Sequence, residues 1–254
     1  MKQKRSLGQV FLENKKYINK ITDCLDIQGK TVLEIGSGKG ALSGYISERA
    51  ARLFCVELDS RFCAYLQQRF SQKNNTEVIN CDILKFPLSK LGKDIVVFGN
   101  VPYQISSKLI SYLADYRKYI KCVYLTLQKE FVDKLTAPAS SKDYSFISCF
   151  FQYYAKVNKL FEIPASSFYP APKVDSKFIE FTFNLKPPFK ANDEDYLFKL
   201  IRKAFSSRRK KIMNSLKING DKGKFFKSLD IDPNLRPENV SLKNYVDIAN
   251  KFCP

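Results

Sequence analysis

The sequence predicts an α/β protein: a doubly wound, mostly parallel, Rossmann-like sheet with helices on both faces, followed by a small α-helical C-terminal domain. Three observations predict it. Apolar β-branched runs alternate with helix-period segments in the order β-α-β-α-β-β-α-β. The runs are almost continuously apolar, as expected of strands covered on both faces. After a Pro-containing stretch at 186–195 the composition turns strongly basic and helical. A chain of 254 residues has room for one sizeable core and a small second domain. The expected domains are 1–185 and 186–254.

Residues 1–9 read as a mobile basic arm. Tyr17, Ile18, Ile21 and Leu25 recur at helical spacing within 11–25, and Gln28-Gly29-Lys30 forms a turn. TVLEI (31–35) is the first strand, GSGKG (36–40) a glycine loop, and ALSGYISERA a helix. RLFCVEL (52–58) is the second strand, closed by Asp59 and followed by the helical SRFCAYLQQRF. EVINCD (77–82), DIVVFG (94–99) and CVYLTL (122–127) are the next three strands, with a loop and helix in NVPYQISSKLISYLADY between the last two. Segments near 153–161 and 176–183 would complete the sheet, separated by the Pro-rich EIPASSFYPAPKVDS. Beyond the linker, two short helices break near Ser206-Ser207, and SLKNYVDIANKF forms a final helix.

Composition narrows the function. Lys and Arg number 43 against 25 Asp and Glu, a net charge of +18. A field of that sign attracts polyanions, nucleic acid first and an anionic membrane surface second. No apolar run reaches the roughly 18 residues of a membrane helix, and no apolar segment follows the basic N-terminus as a secretory signal requires. The seven cysteines include no C-x-x-C pair and several lie in apolar runs, so they read as reduced and buried in a cytosolic protein. The absence of histidine excludes imidazole general bases, Ser-His and Cys-His dyads and most zinc sites, and no metal is expected. Methyl transfer needs none of these.

The candidate site residues fall at successive strand ends. Gly36-Ser37-Gly38-Lys39-Gly40 between a strand and a helix brings backbone N–H groups close to a ligand. Glu57 ends the next strand about 20 residues on, where a carboxylate can hold a ribose diol. That pattern suits a nicotinamide dinucleotide as well as S-adenosylmethionine, although the glycine spacing is not G-x-G-x-x-G. Asp82 and Asn100 end the third and fourth strands, at the edge where such sheets bind ligands. In Asn100-Val101-Pro102-Tyr103, an amide oxygen and the Val101 carbonyl can accept the two N–H bonds of an adenine amine. Held so, the nitrogen stays pyramidal and its lone pair is released from the ring. Pro102 stiffens the turn and Tyr103 offers a stacking face for an unpaired base.

These residues carry a resemblance. FGNVPYQIS resembles the N-[LIV]-P-Y motif of the rRNA adenine N6,N6-dimethyltransferases, and SLGQVFLEN, VLEIGSGKGALS, VELD, LQKEFVDKL and FYPAPKVDS are similar to further motifs of that family. AFSSRRKKIMNSL and IDPNLRPENVSLKNYVDIAN look like the C-terminal domain of its KsgA-type branch rather than the Erm-type branch. The resemblance implies a class I methyltransferase fold. It also implies dimethylation of the 6-amino groups of two adjacent adenines in a hairpin near the 3′ end of small-subunit rRNA, with S-adenosyl-L-methionine as cofactor. It implies cofactor contacts at Val10, Leu12, Gly36, Glu57, Asp82 and Asn100, and places Phe168 beside Tyr103 around the target base. Val10 departs from the resemblance, since the family usually has Asn or His there. Valine has no polar side chain to offer the cofactor, so a backbone contact is what remains to be made. A cytoplasmic monomer acting on an assembling small subunit, without membrane or metal, completes the expectation.

From Lys199 to Lys217 the chain has eight basic residues and no acidic one. Arg202, Lys203, Arg208, Arg209, Lys210 and Lys211 are the candidate rRNA phosphate contacts, set against a merely solvated basic face. Three other functions remain open. A DNA adenine methyltransferase would carry a larger recognition domain. A non-catalytic ribosome-assembly or transcription factor would not need Asn100 and Tyr103. An NAD oxidoreductase would need neither Asn-Val-Pro-Tyr nor the charge.

Overall fold

The computed structural model describes residues 9–216 and 221–252. Residues 1–8 of the expected basic arm, Lys217 and Cys253 lie outside the described residues. The chain forms two compact units. The first runs to Lys129 and includes Lys156–Phe183; the second combines Glu130–Ala155 with the chain from Asn184 on.

In the first unit, β1 (Phe11–Leu12) precedes α1 (Lys15–Cys24). Then come β2 (Thr31–Ile35), α2 (Ser43–Arg49), β3 (Arg52–Glu57), α3 (Ser60–Arg69), β4 (Thr76–Asn80), β5 (Ile95–Asn100), α4 (Ser106–Asp115) and β6 (Ile120–Gln128). The seven-stranded sheet has the order β4-β3-β2-β5-β6-β9-β7, with β7 (Ala155–Ile163) and β9 (Ser176–Phe183) at one side. β4 through β6 are parallel and β9 runs antiparallel to β6. Because β3 and β5 flank β2, the order in which strands are added reverses at β2, although the strands themselves stay parallel. The crevice at the carboxyl end of β2 is where such sheets bind ligands. Val32, Leu53, Val96 and Phe98 from the sheet share one core with Ile21, Leu42 and Ile46 from the covering helices, which explains the continuous apolar strands.

Local chemistry sets the element ends. The first helix starts at Lys15, not at 11. Phe11 and Leu12 instead pair antiparallel with Tyr169 and Phe168 of β8 (Phe168–Tyr169). Asn14 then caps α1, its side chain accepting from the Lys16 N–H at 3.0 Å, a bond of about 1 kcal/mol. Asp59 caps α3 in the same way. The strand expected over 77–82 stops at Asn80, because the Asp82 side chain accepts from the Leu84 N–H at 3.0 Å and turns the chain.

The second unit contains the body of α5 (Lys129–Thr136), with α6 (Phe146–Tyr154), α7 (Glu194–Ser206), α8 (Ile212–Ser215), α9 (Lys222–Lys227) and α10 (Leu242–Phe252). The break between α7 and α8 falls at Ser206-Ser207 as expected. The sequence boundary at 185/186 does not mark this unit's first segment. The reason is aromatic packing: Phe150, Tyr153 and Tyr154 of α6 meet Phe198 of α7 with ring centroids 5.0–5.3 Å apart. Both tyrosine hydroxyls donate to the Glu194 carboxylate. The strand expected at 153–161 accordingly begins only at Ala155.

Candidate active site

The carboxyl ends of β2, β3 and β5 open onto a cleft of about 340 Å³. Its lining includes Val10, Leu12, Gly36, Glu57, Asn100 and Pro102, six of the residues singled out in the sequence. Asp82, Val101, Tyr103 and Phe168 are not among the lining residues.

The glycine loop turns because Gly36 and Gly38 hold φ of 71° and 51°, where a side chain is strained. Gly38 is also needed for space: a Cβ there would lie 2.7 Å from the Phe11 ring. Its N–H donates to Glu57 Oε2 at 2.9 Å, while the Asp59 N–H donates to Oε1 at 2.9 Å. Glu57 thus ties the loop to the end of β3 and presents its remaining lone pairs to the cleft. Burial raises its pKa, and the two N–H donors oppose that rise. Arg69 braces the loop from α3, donating at 2.9 Å to the carbonyls of both Lys39 and Gly40.

The N-terminal strand lies across this loop. Phe11 packs edge-on against Phe62, Lys39 pairs with Glu13 at 3.2 Å, and Gln9 donates to Asp59 at 3.2 Å. Asp59 also receives the Arg61 guanidinium at 2.7 Å, which holds its carboxyl well below the usual range. Val10 contributes through its backbone. The side-chain amide of Asn100 donates to its carbonyl at 3.3 Å. That bond also assigns the amide, since a carbonyl only accepts and the nitrogen must face it. The amide oxygen is left buried without a partner.

Val101 is fully buried, and Tyr103 is half-buried with its hydroxyl 2.8 Å from the Ser176 Oγ. Phe168 is only 4% exposed and belongs to the core beneath the cleft, whereas its neighbour Tyr169 is 61% exposed. Asp82 serves the turn after β4. Several cleft residues were not singled out in the sequence, Leu58, Phe11 and Glu34 among them. Leu58, 54% exposed beside Glu57, gave no signal beyond its position. Phe11 was legible only as part of a motif. Glu34 did leave a signal, an acid inside the apolar run TVLEI. It is buried, accepts from the Ser43 hydroxyl, and has its pKa raised by that burial.

In the second unit Arg202, Lys203, Arg209, Lys210 and Lys211 are exposed and Arg208 is half-buried. Arg208 pairs with Glu238 at 3.5 Å and donates to the Lys142 carbonyl, Lys211 donates to Asn234, and Arg202 stacks over Phe146. Of the described free cysteines, Cys55, Cys63, Cys122 and Cys149 are buried; Cys24 and Cys81 are half-buried, contrary to a uniformly buried set. Among the described residues no group of three or more His, Cys, Asp or Glu could hold a metal ion, and no helix is long and apolar enough to cross a membrane.

A topological switch at β2, a glycine loop after it and an acidic end on β3 are common to nucleotide-binding sheets, and with the antiparallel β9 set between β6 and β7 they give the fold of a Rossmann-like class I methyltransferase. The Asn-Val-Pro-Tyr turn after β5 narrows the class to amine methylation. The chain belongs to the ribosomal RNA adenine dimethylase family, whose model matches residues 1–253. It is 36% identical over 255 residues to ribosomal RNA small subunit methyltransferase A of Saccharophagus degradans, covering 99% of this chain and 95% of that one. The protein of the same name from a Geobacillus species is 33% identical over 263 residues, covering 97% and 90%. Among solved structures, a dimethyladenosine transferase from Plasmodium falciparum superposes with a TM-score of 0.81 at 26% identity, covering 96% of this chain and 97% of that chain. The 23S rRNA methyltransferase ErmE, 20% identical, shares the fold with a TM-score of 0.73, covering 96% and 100%.

Proposed function

We propose that this protein dimethylates the 6-amino groups of two adjacent adenines in a hairpin near the 3′ end of small-subunit rRNA. It does so as a cytoplasmic monomer during small-subunit assembly. The names carried by the Saccharophagus and Geobacillus relatives favour the small subunit over the large. One observation carries the chemistry: Asn100 lines the cleft with its amide nitrogen engaged and its oxygen unpartnered.

The residues present fit S-adenosylmethionine. Glu57 can take a ribose diol, the glycine loop admits close approach, and the Val10 and Leu12 strand closes one wall. When bound, that cofactor supplies a methyl group activated on a positively charged sulfur. The chain's own part is to prepare the acceptor. An adenine amine is a weak nucleophile because its lone pair is spread into the ring. The Asn100 amide oxygen accepts one N–H and the Val101 carbonyl the other, which holds the nitrogen pyramidal. Pro102 keeps the two acceptors converged, and the Tyr103 ring supports the unstacked base. The transition state is stabilised by acceptors fixed before the reaction, so little reorganisation is required. The excess proton on the methylated amine leaves to solvent, since the chain has no histidine to take it.

Residues 1–185 hold the cofactor in this reading, and the basic helices of 186–254 contact rRNA phosphates. The test is transfer of a labelled methyl group to unmethylated small subunits and, separately, to large-subunit RNA. Dimethyladenosine from the small subunit is expected. Label confined to large-subunit RNA, or no transfer despite bound cofactor, would overturn the proposal.

A further inference from the structure

Buried polar side-chain atoms are nearly always hydrogen-bonded, and each exception needs a cause. Among the described residues of the first unit there are four such exceptions, at Ser37, Tyr45, Asn100 and Thr126, and the last two are register neighbours. These two are the amide oxygen of Asn100 at the end of β5 and the hydroxyl of Thr126 near the end of β6. Asn100 and Thr126 are register partners in the parallel β5–β6 ladder. Register partners point to the same face, and neighbouring strands lie about 4.8 Å apart. The two side chains therefore stand next to each other. Thr126 is 0% exposed, so bulk water does not satisfy its hydroxyl. On its other side β9 places Phe178, which offers no polar atom from its side chain.

We propose that Thr126 is a positioning residue of the methyl-transfer centre, its hydroxyl donating to the amide oxygen of Asn100 when the cleft is filled. The amide would then be gripped at both ends, its nitrogen on the Val10 carbonyl and its oxygen under Thr126. An amide oxygen has two lone pairs, so one remains for the N–H of the target amine. The grip matters because a side-chain amide turned by half a revolution presents donors where the reaction needs an acceptor. The Val10 bond, at 3.3 Å, is long for that task alone. This inference rests on the reading of Asn100 as acceptor for the amine.

The test compares wild type, Thr126→Val and Thr126→Ser. Valine has the shape of threonine without the hydroxyl; serine keeps the hydroxyl and loses a methyl. With unmethylated small subunits, Thr126→Val should lower kcat about tenfold with KM and S-adenosylmethionine affinity within about twofold of wild type. Thr126→Ser should return kcat to within about threefold. A merely structural threonine gives the reverse order, because serine opens a cavity and valine does not. A valine variant with unaltered kcat would overturn the proposal, as would a serine variant no better than valine. A second readout needs no turnover. With S-adenosylhomocysteine bound, the side-chain amide resonances of Asn100, assigned by their disappearance in Asn100→Ala, should shift in Thr126→Val and stay in Thr126→Ser. Unshifted resonances in both variants would overturn the grip. Wild-type protein inactive on every rRNA, with resonances behaving as expected, would defeat the rRNA function and leave the grip standing.

Discussion

Asn100 and Val10, 90 residues apart in sequence, are joined by a hydrogen bond from the Asn100 amide nitrogen to the Val10 carbonyl. The bond fastens the N-terminal strand to the tip of β5 and turns the amide oxygen away from it. The contact is made by the Val10 backbone, so it does not depend on the side chain at that position. Val10 remains a cleft residue without a polar side chain.

Asn100→Ala should reduce methyl transfer by about 10²–10³-fold, the scale for losing one preorganised polar contact to a transition state. Cofactor affinity, measured by calorimetry, should stay within about threefold. Turnover near the wild-type rate would sink amine activation by this residue.

Gly38→Ala places a Cβ at φ 51° and 2.7 Å from Phe11. The left-handed conformation alone costs about 1–2 kcal/mol, and the N-terminal strand must also shift. Cofactor affinity should fall about tenfold, equivalent to about 1.4 kcal/mol. Unchanged affinity would show that the strand and loop do not act together.

Ser176 and Tyr103 are bonded at 2.8 Å, which orients the tyrosine ring. Ser176→Ala and Tyr103→Phe should each raise KM for the RNA a few-fold, as expected for a neutral bond worth about 0.5–1.5 kcal/mol. The double variant should be no worse than either single one. Additive effects in that double-mutant cycle would mean the two residues act separately.

Replacing Lys203, Arg209 and Lys210 together by Glu should weaken RNA binding and flatten its dependence on salt. The slope should change by about 0.7–0.9 for each phosphate that is no longer neutralised. These three are preferred to Arg208 and Lys211, which hold Glu238 and Asn234 and whose replacement would disturb the unit itself. A slope unaltered in filter-binding titrations would remove this face from the RNA surface.

Burial raises the Glu34 pKa above its ordinary 4.5, so its ionised form is disfavoured in the folded state. The resulting penalty to stability is absent below pH 4.5 and grows as pH rises through 4.5 to the raised folded value. Glu34→Gln removes it. The variant should melt higher than wild type at pH 8 and no higher at pH 4. An identical difference in Tm at both values would show that Glu34 does not titrate in this way.

The sequence by itself determined the architecture of the first unit and the order of its site. Apolar β-branched runs could satisfy their backbones and bury both faces only as strands of a covered sheet, and so Gly36, Glu57 and Asn100 fell at strand ends. Those are local properties of composition and period. Tertiary structure decided what depended on residues far apart. Phe11 and Leu12 read as the start of a helix until β8 supplied the hydrogen bonds that made them a strand. Phe168, which the resemblance placed beside Tyr103, pairs with Leu12 across the sequence and is 4% exposed among the core residues. The segment 130–155 joined the second unit because its aromatic residues meet Phe198, a contact no nearby residue announces. Thr126 looked like any residue of an apolar strand. Only the register of β6 against β5 put its unpaired hydroxyl beside the unpaired oxygen of Asn100, since hydrogen bonds across a sheet are set by alignment rather than by proximity along the chain.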